Sequence, residues 1–449
     1  MKLRIGFMLS LFTLTGYAEA QEQKNDSATH ELSVKECVDY AAKNNLQVKN
    51  AITDLKQQEQ TNRGVTAAAL PQVAVSGNIT DYLKLPVSLL PGEIIGQPAG
   101  TFVPVTFGTK YNASAAATLQ QVVFDGQVFV GLQARKTALD FYEKNIDVVL
   151  ENVKSNIYKV YYQLVASKKQ IEQIDANIER VTKLEHDANE LFKNGFAEKI
   201  DVDKASVQLA NLVTEKQSAE NQIANGYLGL KLLIGMPAKD SLILTDSITE
   251  EKLKDGLLNE GVYNYANRVE YQYAEIGKRL NEYNIKRYKL AALPTLSLNG
   301  SFSKQAQRTK FDIFGKGDWF TTSYVGVNLN FSIFDGFQRR SNLEKSKIDL
   351  QKSNDQLDYL KLSIDKEVQE ATNNYRNAIN TLDFQDKNIE LAEKVYEQAK
   401  KKFEIGTGST TEITNAQTDL RVAQTNYINA LYTAIIAKVD YLKATGKLN

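Results

Sequence analysis

Residues 68–71 read Ala68-Ala69-Leu70-Pro71, and the same four letters return as Ala291-Ala292-Leu293-Pro294. Phe124-Asp125-Gly126 returns as Phe334-Asp335-Gly336, and Phe192-Lys193-Asn194-Gly195 returns as Phe403-Glu404-Ile405-Gly406. Gly235 has its counterpart in Gly446. Marks repeated in one order at nearly one spacing signify internal duplication, so the chain is read as two copies of one plan. The first copy is longer between its Leu-Pro and Phe-Asp-Gly marks, and a polar stretch from Pro237 to Asp255 joins the two.

Between those marks the pattern has period two. Val327, Leu329, Phe331 and Ile333 alternate with Asn328, Asn330 and Ser332, and Leu296, Leu298 and Phe302 with Ser297, Asn299, Ser301 and Ser303. In the first copy Val73, Val75 and Ile79 stand against Ser76, Asn78 and Thr80. Its partner strand sets Tyr111, Ala113, Ala115, Ala117 and Leu119 against Asn112, Ser114, Thr118 and Gln120. Such strands have one apolar and one wet face. A soluble sandwich packed on its own core fits that pattern. An uncharged face of Ser, Thr and Asn also suits a water-filled lumen backed by lipid.

Elsewhere the pattern is helical. Val368, Tyr375, Leu382, Ile389, Tyr396 and Phe403 form a heptad seam, with Ala371, Ala378, Gln385, Ala392 and Ala399 as its second row. The first copy's seam reads Ile157, Leu164, Ile171, Ile178, Glu185 and Phe192. Sustained heptads predict knobs-into-holes packing, in a soluble rod or in a tube. After Gly406 the spacing resumes at Ile413, Ala416, Leu420, Ala423, Tyr427, Ala430 and Ala434, small residues that let helices approach closely. A helix from Gly126 to Gly195, or from Gly336 to Gly406, would reach roughly 100 Å at ~1.5 Å per residue. The return helices are shorter. Helices before each Leu-Pro, such as 47–68 and 270–291, must make up the height.

Lys2 and Arg4, an apolar run from Ile5 to Leu14, and Ala18-Glu19-Ala20 read as a signal peptide cleaved before Gln21. No later segment is apolar for long enough to form a membrane-crossing helix. Lys+Arg 54 against Asp+Glu 54 gives no pull toward nucleic acid. Two histidines, His30 and His186, are too few for a catalytic or zinc cluster, and no Walker-type, Gly-x-Ser-x-Gly or paired-cysteine motif is present, so neither an enzyme nor a cofactor is expected. Cys37, alone, reads as a buried small hydrophobe.

Short helix, Leu-Pro, hairpin, Phe-Asp-Gly, long helix, glycine turn and return helix, given twice, resembles the TolC-like outer-membrane efflux family over the whole mature chain. The turn Phe403-Glu404-Ile405-Gly406-Thr407, followed by Glu412-Ile413 and Ala416, is similar to the family's aromatic-x-Val/Ile-Gly-Thr turn and acidic helix start. Two places depart from the family: Asn45-Leu46 stands for its Asn-Pro, and Arg268-Val269-Glu270 for its Arg-Pro-Glu. Both fall at helix starts, where Pro is favoured rather than required.

The resemblance implies a mainly α protein with a transmembrane β-barrel part. A trimer would share one barrel, four strands from each chain, above a long coiled-coil α-barrel in the periplasm. Four strands cannot close a barrel that needs about eight, so oligomerisation follows from the strands themselves; the number three comes from the resemblance. The expected units are a signal peptide (1–20), a first duct repeat (21–236), a linker (237–256) and a second repeat (257–449). The function implied is that of a passive export duct in the outer membrane, joined through a periplasmic adaptor to an inner-membrane pump. A soluble periplasmic coiled-coil adaptor is the alternative.

The family's periplasmic gate corresponds to Glu412 and Asn415, of which only Glu412 keeps a carboxylate. An acid in a first helical turn is also favoured by the helix dipole alone, as Asp201 would be in the first copy. The family's basic latch falls on Gly408. The adaptor-docking turns correspond to Gly195, Phe196 and Ala197 and to Gly406, Thr407 and Gly408. Each glycine is equally a plain helix-reversal residue. Residues 85–108, with Pro86, Pro91, Pro98 and Pro104, form an extracellular loop, either a cap over the mouth or a surface loop. Tyr82, Trp319, Phe320 and Tyr324 fall at strand ends as an aromatic girdle would.

Overall fold

The computed structural model describes residues 28–247, 253 and 263–448. The signal-peptide segment 1–20 lies outside the described residues, as does most of 248–262 at the join of the two copies.

The first copy opens with strand β1 (Thr29–Leu32) and helices α1 (Val34–Asn44) and α2 (Leu46–Ala67). Ser33 and Glu36 close a capping box on α1, and Asn45 caps α2 by accepting from the amides of Gln47 and Val48. Pro71 follows the end of α2 and favours an extended Leu70. Next come β2 (Gln72–Asp81), a short hairpin of β3 (Val87–Pro91) and β4 (Phe102–Thr106), then β5 (Tyr111–Phe124). Asp125 accepts from Gln127 and Val128 to start α3 (Gly126–Lys193), which turns back into α4 (Lys199–Ile234). Strand β6 (Ser241–Leu244) then pairs in parallel with β1. The segment read as a linker thus carries a strand.

The second copy repeats the plan without the extra hairpin: α5 (Val269–Leu290), β7 (Thr295–Arg308), β8 (Phe320–Asn330), α6 (Gln338–Glu404) and α7 (Thr410–Ala444). The long helices α3 and α6 contain 68 and 67 residues, the length the marks implied.

The sheet runs β2-β5-β7-β8, all antiparallel, with β2 and β8 as free edges. Its register aligns Val75, Ala117, Phe302 and Ser323 on one face, and Ala74, Thr118, Ser301 and Tyr324 on the other. The apolar face lies open: Val73, Val75 and Val325 are 72%, 81% and 79% exposed. A sandwich would cover that face with a second sheet. At its outer end Ile313 packs on Ala113 and Ala306, and Phe311 meets the Tyr111 ring. Period two therefore marks a face made for lipid. Lys304 shares its register but sits toward the outer end, where a lysine stem can carry the charge to the interface. Two of the aromatics read as a girdle lie otherwise. Phe320 and Tyr324 share the register of the polar face, opposite Gln305 and Ser301.

The helices form a layer in two tiers. Near the sheet the order is α2-α3-α5-α6, and farther away it is α4-α3-α7-α6. The same two flanks stay open at every level: β2, α2 and α4 on one side, β8 and α6 on the other. On α6 the heptad holds, with Tyr375, Ala378, Leu382, Tyr396 and Ala399 buried. On α3 it shifts partway along. Ile157 and Leu164 are buried, but Ile174, Asn177, Val181, Leu184 and Ala188 then take over from Ile171, Ile178, Glu185 and Phe192. This stretch of α3 lies between two partners. Glu185 turns to α4, accepting a bond from Ser206, while Leu184 packs with Tyr396, Ile413 and Leu420. No described helix is long and apolar enough to cross a membrane.

Candidate functional site

The two helix reversals lie at the end of the molecule farthest from the sheet. In the first, the Phe196 amide bonds back to the carbonyl of Leu191 at 2.8 Å, and Gly195 takes φ +81°, which an L side chain resists. The Asn194 side chain donates to the Glu190 carbonyl, and Lys193 pairs with Glu190 at 2.8 Å. That hydrogen bond and charge hold the Glu190 carboxyl below its usual range. Helix α4 starts at Glu198 with no side-chain cap. Phe196 is 82% exposed.

The second reversal is tied more closely. Gly406 has φ +77°, and the amides of Thr407 and Gly408 both bond to the Lys402 carbonyl at 2.9 Å. A Cβ on Gly408 would stand 2.9 Å from the Phe403 nitrogen, so no basic latch fits there. A base reaches the spot from the preceding helix instead: Lys402 Nζ meets Glu412 Oε1 at 2.9 Å. Ser409 caps α7 by accepting from the Glu412 amide at 3.1 Å.

Both tips open onto one cleft of about 990 Å³. It brings together Phe196, Ala197, Gly406 and Gly408, four of the six docking-turn residues; Gly195 and Thr407 are not in its lining. Glu412 is not in the lining either, but it follows the lining residue Thr411. Asn415 is exposed one helical turn along α7, and Asp419 continues the same exposed stripe. Sequence reading passed over both Lys402 and Asp419. The signal for Lys402 was the basic run Lys400-Lys401-Lys402 facing the acid across the turn.

Two polar clusters set the height of this site. Asn177 on α3 donates to Gln424 and accepts from Gln417, both on α7 and both at 2.8 Å. All three side chains are buried, so sliding one copy past the other would strand them without partners. Where α7 ends, buried Arg268 donates to the Ala444 carbonyl at 3.0 Å, to Glu367 at 2.9 Å and to Glu270 at 3.1 Å. In the first copy Asn45 does the corresponding work, donating to the Leu233 carbonyl at 2.6 Å where α4 ends.

An open four-strand segment with a bare apolar face, standing on an open four-helix segment, defines a subunit of a membrane duct. The family model for outer membrane efflux proteins matches residues 265–447. Outer membrane protein TolC of Vibrio cholerae is 20% identical over 75% of this chain and 77% of its own length. Among solved structures, CusC aligns with a TM-score of 0.75 at 16% identity, covering 92% of each chain. VceC of Vibrio cholerae aligns with a TM-score of 0.72 at 15% identity, covering 92% of this chain and 96% of its own. The second copy thus matches the outer membrane efflux protein family, and the chain as a whole has the fold of the solved outer-membrane channels.

Proposed function

We propose that three copies of this chain close into one export duct of a tripartite efflux or secretion system, spanning the outer membrane and descending through the periplasm. One observation carries the reading: sheet and both helical tiers leave the same two flanks open. Unpaired strand edges cannot persist in lipid, so β8 and α6 of one copy must meet β2, α2 and α4 of the next. Outer-membrane lipid covers the apolar strand face, and the Ser, Thr and Asn face lines the bore. The duct does no chemistry and holds no cofactor; a pump in the inner membrane drives transport.

The units are a signal peptide (1–20), two repeats (21–236 and 257–449) and a linker (237–256). The cleft between the reversals receives the adaptor, with exposed Phe196 and Ile405 offering apolar anchors. Glu412 and Asn415 stand at the periplasmic entrance. A soluble adaptor is not favoured, since its strands would need a core on the face left bare here. Membrane fractionation with native mass measurement of the detergent-extracted protein tests this. A trimer in the outer-membrane fraction is expected, and a soluble periplasmic protein or a stable monomer would sink the reading. Placing Trp at Ala197 and Thr407 should leave the trimer intact and impair export; undiminished export would move the adaptor elsewhere.

A further inference from the structure

The β3–β4 hairpin is an arm that the duct itself does not require. The second copy joins β7 to β8 directly, through residues 309–319. The arm stands on the β2–β5 pair, the ladder continuing one step past β2 as Tyr82 donates to the Lys110 carbonyl at 2.8 Å. It is ordered: β3 and β4 pair from Val87–Thr106 to Pro91–Phe102, and Gly92 donates to the Thr101 carbonyl at 2.7 Å. It is also strongly apolar on its outside. Leu83 is 91% exposed, and Leu89, Ile94 and Phe102 are each more than half exposed, while residues 83–108 hold only Lys84 and Glu93 as charges. Apolar surface on that scale, presented beyond the outer end of the strands, marks a covered face.

We propose that this arm is an intersubunit clasp that packs on the β7–β8 connection of the neighbouring copy of this chain. The inference rests on the shared-barrel reading above, and continuity with that interface identifies the occupant. The arm rises at the β2 flank, and the connection rises at the β8 flank. Closing the barrel sets β2 of one copy beside β8 of the next, which brings the two outer extensions together. The connection carries its own apolar knob, Phe314, 86% exposed. Its neighbours are anchored to their own chain: Phe311, though 63% exposed, meets the Tyr111 ring edge-on at 5.4 Å, Ile313 packs on Ala113 and Ala306, and Arg308 donates to the Asp318 carbonyl at 2.8 Å. Phe314 is left free to reach the neighbour. An arm already paired in its bound form loses little freedom on docking.

Cysteine pairs test this in the full-length protein, because the one native cysteine, Cys37, is fully buried. Phe314→Cys is combined in turn with Leu83→Cys, Leu89→Cys and Ile94→Cys, then oxidised in native outer membranes. At least one pair should give reducible dimer and trimer bands on a denaturing gel that neither single variant gives. Replacing residues 87–106 by a two-glycine turn should also lower the temperature at which detergent dissociates the trimer, by roughly 5 °C or more. A trimer by native mass with no interchain band from any pair overturns the clasp and leaves the duct standing. Quenching of bimane on the same cysteines by brominated phospholipid, again without interchain bands, makes lipid the occupant and also overturns it. A monomer by native mass overturns duct and clasp together.

Discussion

The two helix reversals share a phenylalanine and, three residues on, a glycine of positive φ, and are otherwise held by different means. At the second, Ser409 caps the return helix, Gly408 lies against the backbone of Phe403, and Lys402 reaches Glu412 across the turn. At the first, Glu198 caps nothing and the ion pair at the turn, Lys193 with Glu190, stays within α3. The helix ends nearest the middle of the molecule differ in the same sense. Arg268 gathers a carbonyl and two carboxylates in the second copy, whereas Asn45 supplies one neutral bond in the first. Duplication therefore preserved the path of the chain while the fastening drifted apart. The second copy is pinned by charge at both ends of its return helix, and the first turns more loosely about the same axis.

The largest effect should come from removing the two helix-end fasteners. Arg268 is 4% exposed in its side chain, and losing it leaves a buried carbonyl and two carboxylates short of a donor. Breaking a buried pair costs about 3–5 kcal/mol; with Glu367 half exposed, Arg268→Ala should cost about 2–3 kcal/mol. Asn45→Ala, which loses a cap and one neutral bond, should cost about 1–2 kcal/mol. Thermal unfolding in detergent reads both. Equal losses would show that the two copies are fastened alike after all.

The next effect concerns packing within the second copy. Ala378 and Ala434 are 3% and 0% exposed and share one core with Leu382 and Leu431. Ala378→Leu or Ala434→Leu should overpack that seam by roughly 1–3 kcal/mol per site and lower the trimer yield. Unchanged assembly in both variants would mean the seam yields, and that the tight second copy is tight only at its ends.

What could be read in advance follows from what each signal depends on. Leu-Pro, Phe-Asp-Gly and the reversal glycines act through local backbone geometry, so their recurrence exposed the whole path of the chain. The α6 heptad was legible because its apolar seam packs chiefly toward α7. The α3 seam misled because Glu185 and Leu184 serve different neighbours, and one period cannot describe a helix with two buried faces. Ser241–Leu244 was hidden because a four-residue strand in a polar stretch has no period to detect, and its partner β1 lies over 200 residues away. At the reversals, Glu412 and the turn glycines were visible, but the Lys402 contact depends on a hairpin that only tertiary packing closes.

A smaller effect separates the two reversals directly. Ser409→Ala removes a bond to the Glu412 amide and should cost about 1 kcal/mol, shared across the tip. Glu198→Ala removes no cap and should leave the melting temperature within error. Amide hydrogen exchange over 405–415 should quicken in the first variant alone. Matching protection in both would show that the second tip is no better fastened than the first.

The smallest effect on stability is the most telling about the entrance. Lys402 and Glu412 are half exposed, and such a pair contributes about 0–1 kcal/mol, so neither Lys402→Gln nor Glu412→Gln should change folding noticeably. Their effects on conductance should be opposite. If three tips converge near the axis, each carboxylate enters a narrow ring already matched by its own lysine. Lys402→Gln then uncovers net negative charge and should raise cation selectivity and block by divalent cations in single-channel recordings. Glu412→Gln uncovers positive charge and should lower both. Asp201→Asn, at the equivalent helix start of the looser first tip, serves as the control. Should all three variants conduct like the parent, Glu412 only settles the start of α7 by the helix dipole, and the narrowest point lies elsewhere along the bore.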